Sequence, residues 1–464
     1  MKFKPRSNQL RALDECLKVL RDKNGRRELA YLPCAFGKSL LLGMLSNELK
    51  DGRLLVIAPS QELLTQNIVK AESFGVKFST FSASLGKKET SENIIYATPK
   101  SLSYEILKDL NIKYVIWDEA DFQSKPNSKF INILERLKIK SVLGVTASPV
   151  WLISSGQDGA TTEVIVNVKS SFFTNICCTV QIQEMVEERY WSDIKYYNAY
   201  DNLKKNILKW NTNNSDYTEE SKKSFYDACN LKEKISDFLS RLPKGEDALV
   251  FTPDIKSAEE LQPLIKNSAV IHSKTPKKLR KQYLEDFDNG KITTLINCGV
   301  LLAGYDKISL KNLIDASASN SLRIFIQKYG RIIRVSEGKT FGRIIDFSGN
   351  INTFGDIREL SLEFIEGFGW GMYSGERLIT GIPMNSDKVY TKEYLRNGGK
   401  INLEYVFNEN NPGTEKLDFG VNKGKTVKEL YYRKRHYLKY LFEQGFTHKN
   451  KELERQIKLI WNTT

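Results

Sequence analysis

The sequence contains few of the residues that hold structural metals or disulfides. Only six cysteines and three histidines occur among 464 residues, and no two cysteines form a Cys-x-x-Cys pair. A structural zinc site is therefore not expected, because such sites need clusters of these ligands. Sparse, scattered cysteines are typical of a reducing compartment rather than of a disulfide-bonded secreted protein.

Long apolar runs are also missing. The first six residues, Met-Lys-Phe-Lys-Pro-Arg, do not begin an apolar signal sequence, and no later stretch is long and apolar enough to cross a bilayer. Proline and glycine are not enriched, and no low-complexity tract is present. We therefore expect a cytoplasmic protein with no membrane partner.

Basic residues outnumber acidic ones. The chain has 70 Lys and Arg against 56 Asp and Glu, which gives a net charge of +14. A basic chain of this size often binds a polyanion, most commonly nucleic acid. A solubilising surface explains the same excess, so charge alone leaves both interpretations open.

Short β-rich runs alternate with helical patterns in two parts of the chain, at 28–150 and again at 247–347. This rhythm predicts an α/β fold with a parallel sheet in each part, covered by helices. The predicted division is a first lobe at 1–150, a linker and helical insertion at 151–240, a second lobe at 241–350 and a C-terminal extension at 351–464. The extension ends in a basic module near 415–464.

Residues 32–39 read Leu-Pro-Cys-Ala-Phe-Gly-Lys-Ser, between a predicted strand and a predicted helix. Backbone N–H groups at a helix start, including those of Ala35 and Gly37, can cradle phosphates. The Lys38 ammonium would bridge the terminal phosphates, and the Ser39 hydroxyl would hold Mg²⁺. Leu32 stands where a first glycine is often found, so this loop departs from the strict pattern.

Two carboxylates follow the apolar run 115–117, namely Asp118 and Glu119. Asp118 would hold the Mg²⁺ water shell, and Glu119 would orient and deprotonate the attacking water. The alternative is a strand followed by an acidic helix cap. In the second predicted lobe, Arg331 and Arg334 lie three residues apart, as on one helical face. Arginines that reach a γ-phosphate across a cleft suit this pattern, and a solvated basic face is the alternative.

Taken in order, these segments resemble the motifs of superfamily 2 helicases and translocases over residues 3–350. The resemblance implies two RecA-like lobes in tandem plus a small C-terminal region, ATP and Mg²⁺ as cofactors, and catalysis by Lys38, Asp118, Glu119, Arg331 and Arg334. It implies nucleotide contacts from Arg6, Gln9, Ala35, Gly37, Lys38, Ser39, Gly304, Asp306 and Gln327. The implied metal ligands are Ser39 and Asp118. The implied nucleic-acid contacts are Pro59, Ser60, Gln61, Thr98, Pro99, Lys100, Thr252 and Pro253.

The type of nucleic acid is less directly indicated. Residues 118–121, Asp-Glu-Ala-Asp, match the name of a family of RNA helicases, but the upstream aromatic signature of that family is missing. Residues 184–191, Glu-Met-Val-Glu-Glu-Arg-Tyr-Trp, resemble the linker of restriction-type DNA translocases. The whole chain is similar to the UvsW-like branch-migration helicases of tailed phages.

This resemblance implies an ATP-dependent DNA helicase for forks and Holliday junctions, used in replication, recombination and repair. It further implies a monomeric motor in the bacterial cytoplasm, encoded by a phage, with replication or recombination proteins as partners. The alternatives are an RNA helicase and an ATP-driven translocating subunit that serves a separate nuclease. Near the C-terminus, residues 418–426 and 437–441 resemble a small module of some exonucleases and phage proteins, which suits DNA ends or single strands.

Overall fold

A computed structural model describes residues 4–125, 128–154, 160–212, 216–301, 305–382, 389–397 and 450–462, with single positions at 417, 423, 426, 427, 430 and 441. Gly304 and nearly all of the two tail segments that resemble a small module lie outside these residues.

The first part of the chain forms an eight-stranded sheet. Its strands are β1 (Arg27–Tyr31), β2 (Arg53–Ile57), β3 (Ser79–Ser82), β4 (Lys87–Lys88), β5 (Ile94–Ala97), β6 (Ile112–Asp118), β7 (Ser141–Thr146) and β10 (Asn175–Thr179). They lie in the order β10-β1-β7-β6-β2-β5-β3-β4, and all neighbours are parallel except β3 and β4. The central strands are apolar and buried, as expected when helices cover both faces of a parallel sheet. The helices are α1 (Ser7–Leu20), α2 (Lys38–Glu48), α3 (Gln61–Ser73), α4 (Tyr104–Leu107), α5 (Ala120–Gln123) and α6 (Lys129–Arg136).

The second sheet has six strands, all parallel. They are β11 (Asp193–Asn198), β12 (Ala248–Phe251), β13 (Ser268–Ile271), β14 (Thr294–Asn297), β15 (Asn312–Asp315) and β16 (Phe341–Asp346), in the order β11-β16-β15-β12-β14-β13. Its helices are α8 (Glu219–Ala228), α9 (Leu231–Ser240), α10 (Ile255–Leu261), α11 (Lys277–Asp288), α12 (Leu322–Tyr329) and α13 (Asn350–Phe354). The predicted α/β class with two parallel sheets in tandem is confirmed.

The segment between the two predicted lobes contributes to both sheets. It begins with an antiparallel hairpin of β8 (Val150–Ser154) and β9 (Ala160–Val164), and α7 (Ile182–Glu187) follows later. β10 pairs with β1, and β11 pairs with β16. These are edge strands with mixed burial, so their sequences lack the continuous apolar run that marks a central strand.

Beyond the second sheet, residues 367–373, Gly-Phe-Gly-Trp-Gly-Met-Tyr, contribute to a small antiparallel sheet. Its strands are β17 (Leu360–Ile365), β18 (Gly369–Ser374) and β19 (Arg377–Leu378), with α14 (Lys392–Arg396) and α15 (Lys451–Asn462) following along the chain. Within the described ranges, no helix combines the length and the apolar character needed to cross a membrane.

Candidate active site

A cavity of about 620 Å³ lies between the carboxyl ends of β1 and β6 in the first sheet and the loops that precede β15 and β16 in the second. Residues from both lobes line it. They include every described residue that the sequence analysis assigned to catalysis or nucleotide binding: Arg6, Gln9, Ala35, Gly37, Lys38, Ser39, Asp118, Glu119, Asp306, Gln327, Arg331 and Arg334. Arg6 and Arg334, which are 328 positions apart in the sequence, therefore meet at one place.

The loop between β1 and α2 has the shape of a phosphate cradle. Gly37 lies in the left-handed region, with φ of 93°, and a Cβ atom there would lie 2.8 Å from the Gln9 amide nitrogen. Ala35 is also left-handed, with φ of 62°, a conformation that costs a residue with a side chain about 1–2 kcal/mol. As far as the structure describes it, no side chain caps the start of α2, so its first N–H groups can bind an anion.

Lys38 begins α2 and forms an ion pair with Glu119. The Lys38 Nζ and Glu119 Oε1 atoms lie 2.8 Å apart, and both side chains are mostly buried. Burial would lower the pKa of Lys38, but the Glu119 carboxylate raises it above the ordinary value. Burial would likewise raise the pKa of Glu119, but the Lys38 ammonium holds it below the usual value. Both groups are therefore charged at neutral pH, which is the state their predicted roles require.

Asp118 ends β6 and is buried. Its carboxylate accepts hydrogen bonds from Asn67 Nδ2 at 2.8 Å and from the Glu119 backbone N–H at 3.0 Å. Burial, and then the charge of Glu119, raise the pKa of Asp118 to about 6. A divalent cation would offset the energetic cost of burying the ionised Asp118 carboxylate. Asp118 and Ser39 offer the hard oxygen ligands that Mg²⁺ uses together with phosphates and water, so the residues present fit that ion.

At the other end of the cavity, Gln9 connects α1 to the phosphate loop. Its amide nitrogen donates to the Phe36 carbonyl at 2.7 Å, and its amide oxygen accepts from the Arg6 backbone N–H at 3.0 Å. The Arg6 guanidinium lies over the Tyr190 ring, 3.8 Å from its centre. The sequence analysis did not assign Tyr190 to the site, because this contact joins residues far apart in the chain.

The second lobe presents arginines to the cavity. Arg334 Nε lies 2.9 Å from Asp306 Oδ1, and Arg331 donates to the Tyr305 carbonyl. Burial lowers the pKa of Arg331. The prediction that Arg331 and Arg334 lie on one helical face is wrong, because α12 ends at Tyr329 and Arg334 forms a β-bridge.

The predicted nucleic-acid contacts lie elsewhere, at strand ends. Residues 59–61 follow β2 and residues 98–100 follow β5, and these two strands are neighbours, so both segments share one edge of the first sheet. Ser60 Oγ caps α3 through the Leu63 N–H at 3.3 Å. Lys100 is exposed. Residues 252 and 253 follow β12 and are buried.

A second contact between the lobes involves a buried carboxylate of the first lobe and an arginine of the second. The buried Asp121 carboxylate accepts hydrogen bonds from the Thr146 hydroxyl at 2.6 Å and the Ser148 hydroxyl at 3.1 Å. Arg323, on α12 of the second lobe, places its Nε atom 2.5 Å from the same carboxylate. Asp121 thus joins the end of β7 to the second lobe, two residues after Glu119.

Two family models match the chain. The model of the type III restriction enzyme res subunit matches residues 2–150, and the model of the helicase conserved C-terminal domain matches residues 230–336. These ranges contain the residues on the two walls of the cavity.

Individual relatives agree with these matches. Helicase 22 of Sulfolobus islandicus filamentous virus is 26% identical over 374 residues, which cover 76% of this chain and 61% of that protein. The ATP-dependent RNA helicase DBP10 of Pyricularia oryzae is 23% identical over 391 residues, covering 76% of this chain and 39% of that protein. The chain therefore spans less than two thirds of the length of either relative.

Among solved structures, a fragment assigned as an HsdR subunit of a type I restriction enzyme from Vibrio vulnificus YJ016 superposes with a TM-score of 0.57 at 20% identity. The match covers 76% of this chain and 66% of that one. At this identity the likeness concerns the fold, which is that of tandem RecA-like domains. The two matched family models, not this likeness of fold, assign domains of the superfamily 2 helicases, which are ATP-dependent enzymes, to residues 2–150 and 230–336 of this chain.

Proposed function

We propose that the chain is an ATP-dependent DNA helicase or translocase that unwinds or branch-migrates branched DNA, such as forks and Holliday junctions. The observation that carries the ATP-driven part is the cavity, in which a phosphate loop and two carboxylates from one lobe face two arginines from the other. In this arrangement ATP is held by both lobes at once, so its binding and hydrolysis can close and open the cleft.

The proposed chemistry assigns a role to each wall. Lys38 exchanges its contact with Glu119 for the terminal phosphates, which frees the Glu119 carboxylate to orient the attacking water. Ser39 and Asp118 would hold Mg²⁺, which would neutralise charge on the phosphates. Arg331 and Arg334 stabilise the charge on the transferred phosphoryl group from the second lobe.

The choice of DNA rests on the sequence. The net charge of +14 favours a polyanion, and residues 184–191 resemble the linker of DNA translocases. The proposed DNA contacts are the strand-end segments 59–61, 98–100 and 252–253, which would bind one strand mainly through its phosphates. Relatives named as RNA helicases keep an RNA substrate as the second candidate.

The proposed domain division is 1–150, 151–240, 241–350 and 351–464, with a basic module near 415–464. The proposed setting is the cytoplasm of a bacterial cell, with a phage as the source of the gene and replication or recombination proteins as partners. The motor is proposed to act as a monomer.

The direct test measures ATP hydrolysis with single-stranded DNA, duplex DNA, a four-way DNA junction and RNA of matched length. Strand displacement on the junction, with and without ATP, is measured alongside. We expect the junction to give the highest stimulation and ATP to be required for displacement. Equal or better stimulation of ATP hydrolysis by RNA would show that RNA, not branched DNA, is the substrate to assign.

Two further arms separate the remaining alternatives. Duplex translocation that displaces a bound third strand, without separation of the duplex, would favour the translocating subunit that serves a nuclease.

Removing residues 415–464 tests the basic module. If that deletion leaves junction unwinding unchanged, the module does not recognise the branch.

A further inference from the structure

We propose that Trp191 and Ser192 are positioning residues that fix the arginine loop, residues 330–334, against the phosphate loop. This inference rests on the proposed function, because it concerns how the two walls of the nucleotide cavity are held for hydrolysis. The pair lies between α7 and β11, where the chain passes from the first sheet to the second. Both residues are buried, with 5% and 8% of their surfaces exposed.

Trp191 contacts the first lobe through its indole N–H, which donates to the Cys34 carbonyl at 3.0 Å. Cys34 lies within the phosphate loop, directly before the left-handed Ala35. Since Ala35 adopts a conformation that is unfavourable for a residue with a side chain, neighbouring contacts must hold the loop in place. The indole N–H supplies one such contact from outside the loop.

The same dipeptide contacts the second lobe on the other side. The Ser192 backbone N–H donates to the Ile333 carbonyl at 2.8 Å, and its hydroxyl donates to the Ile332 carbonyl at 3.3 Å. Trp191 also forms an antiparallel β-bridge with Arg334. Three consecutive positions of the arginine loop are therefore bound by their backbones to residues 188–192, the connecting segment between α7 and β11.

Two observations show how close the loops are held. A Cβ atom at Gly330 would lie 2.5 Å from Cys34 Sγ, so the phosphate loop and the arginine loop pack directly against each other. Lys339 is buried, and its ammonium donates to the Arg334 carbonyl at 2.9 Å and also to the Ile332 carbonyl. The arginine loop is thus held from its own lobe by Lys339 and from the connecting segment by Trp191 and Ser192.

This geometry has a kinetic consequence. The arginines act on charge that develops in the transition state, so a small displacement of their loop lowers kcat more than it weakens ATP binding. Removing the indole N–H releases the phosphate loop from the connecting segment while the aromatic ring can still pack. Ser192 contributes a side-chain hydroxyl that can be removed without loss of its backbone hydrogen bond.

The test compares Trp191→Phe and Ser192→Ala with Trp210→Phe, which alters a tryptophan that packs at a tilt against Tyr217 outside the cavity. We expect Trp191→Phe to lower kcat roughly tenfold with less than about a twofold change in KM for ATP. Ser192→Ala should act in the same direction but less strongly, and Trp210→Phe should leave both constants unchanged. An unchanged kcat in Trp191→Phe overturns the proposal.

A double-mutant cycle separates positioning from a general loss of structure. If Trp191 acts through the arginine loop, Trp191→Phe should change turnover less than about twofold in an Arg331→Ala background. The same tenfold loss in that background would show that Trp191 acts independently of the arginines, and would overturn the proposal.

Amide hydrogen exchange provides a readout that does not depend on turnover. Trp191→Phe should speed exchange in both the phosphate loop and the arginine loop, whereas Trp210→Phe should not. If the wild-type protein hydrolyses no ATP, the proposed function fails, but the exchange result still decides whether the connecting segment holds the loops. Unchanged exchange in both loops of Trp191→Phe would show that the indole N–H does not hold the loops in place.

Discussion

The two lobes have the same α/β plan but present different edges and different chemistry to the cavity. In the first lobe, β1 and β6 end at the cavity, and this lobe supplies a lysine already paired with a carboxylate, Lys38 with Glu119. In the second lobe, the cavity residues lie in the loops before β15 and β16, where Arg334 pairs with Asp306 and Arg331 donates to the Tyr305 carbonyl. The first wall therefore supplies the lysine, the hydroxyl and the carboxylates expected to bind phosphate and metal, whereas the second adds two arginines together with Asp306 and Gln327. This difference predicts that nucleotide binding and hydrolysis can be separated by mutation.

The largest effect is expected on the first wall. Lys38→Ala removes the cation that would bridge the phosphates and leaves Glu119 without its partner. We expect ATP hydrolysis to fall by about three powers of ten or more, with weaker nucleotide binding and largely intact nucleic-acid binding. Steady-state turnover and nucleotide titration measure these effects.

Lys113→Ala is the matched control for this experiment. Lys113 lies near the start of β6, the strand that ends at Asp118, and it forms an exposed ion pair with Asp51. Its removal should change turnover little. Normal hydrolysis in the Lys38 variant would disprove the assignment of the phosphate loop.

A smaller and different effect is expected on the second wall. Arg331→Ala should lower kcat about a hundredfold or more while KM for ATP changes only a few-fold, because the arginine is needed mainly in the transition state. Arg358→Ala, which removes a guanidinium paired with Asp356 away from the cavity, is the control. If Arg331→Ala weakens binding as much as Lys38→Ala does, the two walls are not separable.

The contact between Asp121 and Arg323 links the two lobes. Its loss should lower ATP hydrolysis less than Lys38→Ala or Arg331→Ala does. Arg323→Gln leaves a buried carboxylate whose pKa is already raised by burial and by the charge of Glu119. We expect nucleic-acid-stimulated hydrolysis to fall about tenfold, and the unstimulated rate to change less. The ratio of the stimulated to the unstimulated rate measures how strongly nucleic-acid binding is coupled to hydrolysis. A ratio equal to that of the wild type would show that the contact between Asp121 and Arg323 does not contribute to this coupling.

The sequence predicts the walls of this cavity much better than the contacts between them. The central strands of both sheets lie within 28–150 and 247–347, the two parts in which β-rich runs alternate with helical patterns, because continuous apolar runs mark such strands directly. The phosphate loop and the carboxylates were recognisable because their residue types and spacing reflect the chemistry. The contact of Arg323 with Asp121 joins residues 202 positions apart, and no local pattern indicates such a pair.

The β8–β9 hairpin lies outside both sheets, and there the smallest effect is expected. Burial raises the pKa of Glu163 to about 7, above the ordinary value of a glutamate. The contribution of Glu163 to the free energy of unfolding is therefore fully present below the pKa of a glutamate in the unfolded chain, about 4.3. It is lost as pH rises through the folded-state pKa, about 7. Glu163→Gln should raise Tm by about 2–4 °C at pH 8 and much less at pH 5. A Tm difference that is the same at both values of pH, measured by thermal unfolding, would show that the charge of Glu163 does not destabilise the hairpin.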